Sequence, residues 1–97
     1  MKYRLEYIST FHTDVLNLIS DLEDYPLKAK RIIEKLDKKL LKLAGMPGMY
    51  QIYEDFPIFR KMSVDEYMVF YIINERDKTV ELHRLIYGRM NIRKQLE

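Results

Sequence analysis

The sequence predicts an α+β domain in the order β-α-α-β-β-β, a mainly antiparallel sheet with an N-terminal helical hairpin on one face. Three observations predict it. Tyr3, Leu5 and Tyr7 alternate with Lys2, Arg4 and Glu6, the period of a half-buried strand. Apolar residues then recur twice at helical spacing, from Phe11 to Leu22 and from Ala29 to Leu43. Three strand-like runs close the chain after a loop punctuated by Gly and Pro. With 97 residues, the chain 1–97 is read as a single domain.

Each element has a local cause. After the first strand, Ser9 and Thr10 offer hydroxyls as an N-cap for the first helix. Phe11, Val15, Leu18, Ile19 and Leu22 form its apolar face. Tyr25-Pro26 ends it, because a residue before proline is pushed out of the helical region. Pro26 suits the first turn of the second helix, where its missing N–H costs nothing. Ala29, Ile32, Ile33, Leu36, Leu40 and Leu43 line that helix, and Gly45 is the expected C-cap in a left-handed conformation. The short turn between the helices predicts an antiparallel pair.

Residues 45–57 read as a loop made sticky by Met46, Met49, Tyr50, Ile52, Tyr53 and Phe56. The run 58–63 is a strand of mixed pattern. Residues 67–73 are apolar on both faces, as a central strand requires. A polar turn at 74–78 leads to the last strand, 79–87. Strict alternation there puts Val80, Leu82 and Ile86 on one face and Glu81, His83, Leu85 and Tyr87 on the other. Residues 92–96 form a short C-terminal helix or tail. The hairpin covers one face of the sheet, so the other stays open or meets a partner.

Composition excludes several classes. The chain has no cysteine, so no disulfide framework and no thiolate metal site is possible, and a reducing cytoplasmic setting is expected. No apolar run reaches the length of a membrane span, and the N-terminus lacks the apolar core of a signal peptide. His12 and His83 fall on different elements without metal-ligand spacing, and no Gly-rich phosphate loop is present. No metal and no cofactor is expected.

Net charge is only +2, but it is unevenly spread. Residues 14–24 hold four acids and no base, whereas 28–42 hold seven bases against two acids. Such a run either coats a solvated helix face or steers a polyanion or an acidic protein segment. A second basic and aromatic set lies on the strands and tail: Arg60, Lys61, His83, Arg84, Tyr87, Arg89, Arg93 and Lys94. An open sheet face carrying these residues is a platform for single-stranded RNA, with arginines on phosphates and rings on bases. By residue type alone none of them carries a function, since a tyrosine ending a strand is commonly an edge residue.

The order of elements and the local strings together change that. Val80-Glu81-Leu82-His83-Arg84-Leu85-Ile86-Tyr87-Gly88-Arg89-Met90-Asn91-Ile92 resembles the C-terminal signature of the RelE/ParE toxins. That signature is an apolar strand carrying an Arg, then His or Tyr, Gly, Arg, Arg and Asp. Gly45-Met46-Pro47, followed by Tyr50 and Ile52, is similar to the loop before the family's central strands, and 67–71 resembles its Tyr-Arg-x-x-Tyr strand. The resemblance covers nearly the whole chain. It implies the toxin of a type II toxin–antitoxin pair, neutralised by an antitoxin whose disordered segment folds across it.

The family divides into RelE-like members, which cleave mRNA on the ribosome, and ParE-like members, which poison DNA gyrase and are not nucleases. For the nuclease, attack of a ribose 2′-OH on the adjacent phosphate needs a base, an acid and cations around the phosphorane. The resemblance places Tyr87 on the His/Tyr position and Arg89 on the Arg after Gly. It places Arg60, with Lys61 beside it, near the basic residues of the strand before the core. Arg60, Tyr87 and Arg89 are the expected catalytic set, supported by Lys61, His83, Arg84, Arg93 and Lys94. Met46, Met49, Tyr53 and Phe56 are the expected antitoxin contact. Met68, Met90 and Asn91 depart from the pattern where an Arg and an Arg-Asp pair are usual. The favoured reading is ribosome-dependent mRNA cleavage. The alternatives are a gyrase poison and a degenerate member that binds its antitoxin without toxicity.

Overall fold

The computed structural model describes residues 2–97. Strand β1 (Arg4–Tyr7) runs into helix α1 (Ser9–Asp21), then helix α2 (Pro26–Gly45) and a short 3-10 turn at Pro47–Met49. Strands β2 (Arg60–Val64), β3 (Tyr67–Asn74) and β4 (Thr79–Tyr87) follow, and helix α3 (Ile92–Leu96) closes the chain. The sheet order is β1-β4-β3-β2. β2, β3 and β4 are antiparallel, and β1 joins β4 in parallel. The α+β architecture and the mainly antiparallel sheet are as the sequence predicts.

Both long helices pack on one face of this sheet. Phe11 and Leu18 of α1, with Ile32, Leu36, Leu40 and Leu43 of α2, are buried against Met62, Val64, Val69, Tyr71, Val80 and Leu82. Each large aliphatic side chain fully buried in this way stabilises the domain by about 1.5–3 kcal/mol before entropy is subtracted.

Two helix ends differ from the expected caps. Ser9 is already helical and Ile8 is the N-cap, without a side-chain bond. The Ile8 carbonyl accepts from Phe11 and His12, while its own N–H is held by the Leu82 carbonyl. Strand pairing therefore fixes where α1 begins, and Thr10 is released to donate to the His83 carbonyl at 2.7 Å. At the other end Gly45 remains helical, and Met46 caps α2 with φ −151°, so no left-handed residue is needed. Pro47 follows at once and forbids another helical turn at Met46.

The strict alternation expected along β4 fails at a β-bulge. Phe70 faces Arg84 and Tyr71 faces Leu82, so His83 has no partner on β3. The extra residue reverses the parity. Val80 and Leu82 before the bulge, and Leu85 and Tyr87 after it, lie on the helix side; Glu81, His83 and Ile86 lie on the opposite side. Leu85 accordingly joins the core cluster. The bulge sits where β1 stops: beyond Leu82 the edge of β4 is taken over by α1, whose Thr10 and Asp14 bond to His83 and Leu85.

The face away from the helices is only partly open. The segment 50–59 folds back over it, with Tyr53 N–H bonded to Phe59 O and Lys61 N–H to Gln51 O. Phe70 is fully buried beneath this cover.

Candidate functional site

The bulge divides the expected site residues between two faces. On the helix side, Tyr87 pairs with Tyr67 across β3 and β4, their rings tilted at 63° with centroids 5.5 Å apart. Burial, then the nearby Asp21 carboxylate, pushes the Tyr67 hydroxyl above its usual range. These rings border a cavity of about 240 Å³ lined also by Asp14, Asn17, Arg84, Met90 and Gln95. Asp14 and Asp21 both line it against the single cation Arg84, so it is poorly suited to a phosphate.

Arg84 borders the same cavity but is already committed. Its Nε donates to Asp14 Oδ2 at 2.7 Å, Nη2 to Asp14 Oδ1 at 3.2 Å, and Nη1 to the Gln95 carbonyl at 2.7 Å. It joins α1, β4 and α3 through one guanidinium.

On the other face, His83 Nε2 lies 3.1 Å from Glu81 Oε1. Its ring packs edge-on against Phe59, which packs edge-on against Phe70. Tyr53 completes the cluster, edge-on to Phe70 and stacked with Phe56, and Lys61 Nζ lies 5.4 Å from the Tyr53 ring centre. The basic and aromatic face expected for RNA is therefore present in composition. Its rings, however, pack on one another rather than standing free for bases.

Arg60 lies apart from both groups. It faces Tyr71 in the register, and its Nη1 donates to the Tyr50 carbonyl at 2.7 Å. Tyr71 in turn donates to the Pro47 carbonyl at 2.7 Å. Tyr87 faces Tyr67, four residues away along β3, so Arg60 and Tyr87 are separated by about 13 Å along the sheet and by two strand spacings across it. Arg89 is exposed in the turn after Gly88, and Arg93 and Lys94 are exposed on α3. The structure thus brings Tyr87 close to Arg84, and Lys61 and His83 to the aromatic cluster. It does not bring Arg60 to Tyr87.

Sequence reasoning missed Tyr67 and Asp14 as members of the Tyr87 cavity. An unpaired Arg84 interrupting an apolar run was the available signal that an acid such as Asp14 had to reach it. Of the expected antitoxin contacts, Met46 and Met49 are 63% and 46% exposed, whereas Tyr53 and Phe56 are half-buried in the cluster. Among the described residues no group of His, Asp and Glu is arranged to hold a metal, and no helix is long and apolar enough to cross a membrane.

A family model described as the ParE toxin of the type II toxin–antitoxin system parDE matches residues 5–92. The fold is similar to a chain from the chromosomal ParDE system of P. aeruginosa, with TM-score 0.75, 13% identity, and 89% of this chain and 96% of that one covered. It is similar to a chain of the Mycobacterium tuberculosis RelBE2 toxin–antitoxin complex, with TM-score 0.66, 16% identity, and coverage of 90% and 99%. A mutant of the E. coli toxin RelE in the free state gives TM-score 0.65, 14% identity, and coverage of 98% and 93%. No curated protein sequence matches the chain.

Proposed function

The chain belongs to the ParE toxin family of type II toxin–antitoxin systems, and on that premise we propose that it inhibits growth as a binding toxin directed at DNA gyrase, not by cutting mRNA. One observation carries this reading: Arg60 and Tyr87, two of the three residues expected to act on the phosphate, do not converge. Cleavage by a 2′-OH needs base, acid and cations within hydrogen-bond reach of one phosphate. Here Arg84 is held by Asp14, Arg60 lies about 13 Å along the sheet from Tyr87, and the aromatic rings of the opposite face are engaged with one another. A toxin that acts by occupying a protein surface needs none of that convergence.

Its neutralising partner is an antitoxin, as in the family. We place part of that contact on Met46 and Met49, which stand exposed on the segment that continues to the half-buried Tyr53 and Phe56. Exposed apolar side chains grouped on one segment suit a peptide that folds on binding.

The test is induced expression in a bacterial host, with mRNA 5′ ends mapped within minutes alongside a DNA-damage reporter. Damage without new 5′ ends inside translated frames is expected. New ends that disappear with Tyr87→Phe would overturn the reading in favour of mRNA cleavage.

A further inference from the structure

We propose that the flank of α2 facing β2 is a binding surface for the phosphate backbone of a nucleic-acid duplex. Lys28, Arg31, Lys35, Lys38 and Lys42 are spaced by three and four residues and all are exposed. At about 100° per residue they fall within roughly 80° of arc, and at about 1.5 Å per residue they span about 21 Å. Lys39 borders this arc. No apolar or aromatic residue lies within the stripe, and of the two acids on α2, Glu34 lies at its margin. Asp37 lies on the far flank, in the groove beside Tyr7 and His12 of the α1 side.

Two of the six cations have partners on β2 and its turn: Lys35 pairs with Asp65 at 2.8 Å, and Lys39 donates to the Ser63 carbonyl. Those contacts fix the stripe against the edge of the sheet. Among the described residues Lys28, Arg31, Lys38 and Lys42 form no ion pair. Asp21 ends α1, which packs on the opposite flank of α2, and Glu23 and Asp24 lie in the turn between the two helices. The charge distribution therefore turns one side of the molecule toward a polyanion.

A straight row of cations on one helix, without rings, matches a duplex backbone better than a single strand. Single-stranded nucleic acid is held largely by stacking on aromatic side chains, and the stripe has none. Backbone contacts without base contacts position a protein on a duplex without reading sequence. Phosphate binding at this flank is independent of the toxin's target.

The purified chain is titrated with a short DNA duplex, the matching RNA duplex, the single strand and a poly-glutamate peptide over a range of salt. Four free cations predict a slope of log affinity against log salt of about −3.6 for the DNA duplex. Lys38→Gln with Lys42→Gln should reduce the slope by about 1.8, weakening binding about 60-fold at roughly 0.1 M salt, with the unfolding midpoint unchanged. Lys28→Gln with Arg31→Gln at the other end should act alike. Binding to either duplex with these losses supports the surface, and the preferred duplex identifies which nucleic acid it takes. Absence of duplex binding, an unchanged slope in both double variants, or a preference for the single strand would overturn it. Binding of poly-glutamate in place of the duplexes would also overturn it and assign the stripe to an acidic protein segment.

Discussion

Asp14 on α1 holds Arg84 on β4 through two side-chain hydrogen bonds, and the same carboxylate accepts the Leu85 N–H at 2.9 Å. The pair is largely enclosed, with 11% of the Asp14 side chain and 23% of the Arg84 side chain exposed. One carboxylate thus closes the strand edge that β1 leaves open and anchors the bulge that turns Tyr87 toward the helices. Asp14→Ala should cost about 3 kcal/mol, because it strands a partly buried guanidinium and a backbone N–H. Asp14→Asn, which keeps an acceptor for Leu85, should cost less. Urea denaturation with an unchanged m-value checks both. Equal stability of Asp14→Ala and the parent would show that Arg84 is satisfied by Gln95 and solvent alone.

Tyr71 is fully buried and donates to the Pro47 carbonyl, tying the segment after α2 to the central strand. Tyr71→Phe should cost about 1–2 kcal/mol at neutral pH by leaving that carbonyl unpaired. Burial pushes the Tyr71 hydroxyl from 10.0 up to about 12, an effect the nearby Arg60 charge opposes. A folded-state value raised above the unfolded one favours the protonated fold. Its contribution is therefore fully present below pH 10 and is lost as pH rises through about 12. Tyr7, Tyr53 and Tyr67 are raised in the same direction, so alkaline destabilisation will persist in the variant. The difference between parent and Tyr71→Phe should nevertheless shrink across that window, as denaturation at stepped pH will report.

Gly88 follows the last strand at a close approach. Its N–H donates to the Glu66 carbonyl at 2.7 Å, and a Cβ at Gly88 would sit 3.0 Å from that same oxygen. The obstacle is backbone, so the turn joining β2 to β3 must move to admit a methyl group. Gly88→Ala should cost about 1–3 kcal/mol, as overpacking of a well-fitted contact does. A thermal unfolding midpoint equal to the parent's would refute this.

Tyr87→Phe separates the two toxin mechanisms. On the gyrase-directed reading the hydroxyl has no proton to transfer, and the ring keeps its contact with Tyr67. Growth inhibition on induction should stay within about twofold of the parent. Loss of toxicity with retained folding would instead give the hydroxyl an acid or base role, a deletion typically worth about 10²–10⁴ in rate.

Element types and order were readable because they rest on local causes: alternation in β1, helical spacing in α1 and α2, and Pro26 at the start of α2. The faces of β4 were readable only as far as His83. Beyond it the bulge depends on Asp14, seventy residues earlier, and on where β1 ends, and neither is a property of the β4 string. Arg60 and Tyr87, put in one catalytic set by the resemblance, lie apart for a different reason: the strand registers set them opposite Tyr71 and Tyr67, four residues apart on β3 and on opposite sides of it. The α2 stripe was visible as a run of bases. Its restriction to one flank, and the pairing of Lys35 and Lys39 with the edge of β2, required the packing of α2 on the sheet.

The turn between β2 and β3 offers a last test, in which backbone strain competes with an ion pair. Val64 and Tyr67 are register partners, so Asp65 and Glu66 alone make the turn, and Asp65 has φ 52°. A two-residue hairpin with positive φ at its first central residue favours Gly there, and a β-branched residue is strongly disfavoured. Asp65 also pairs with Lys35, but that side chain is 48% exposed and its partner 35%, so solvent screening leaves the pair little net value. If backbone conformation dominates, Asp65→Gly should stay within about 0.5 kcal/mol of the parent. Asp65→Val should then lose about 2 kcal/mol, and Lys35→Gln almost nothing. If the ion pair dominates, all three variants should lose the same small amount. Chemical denaturation of the three against the parent decides between them, because only strain separates Val from Gly at this position.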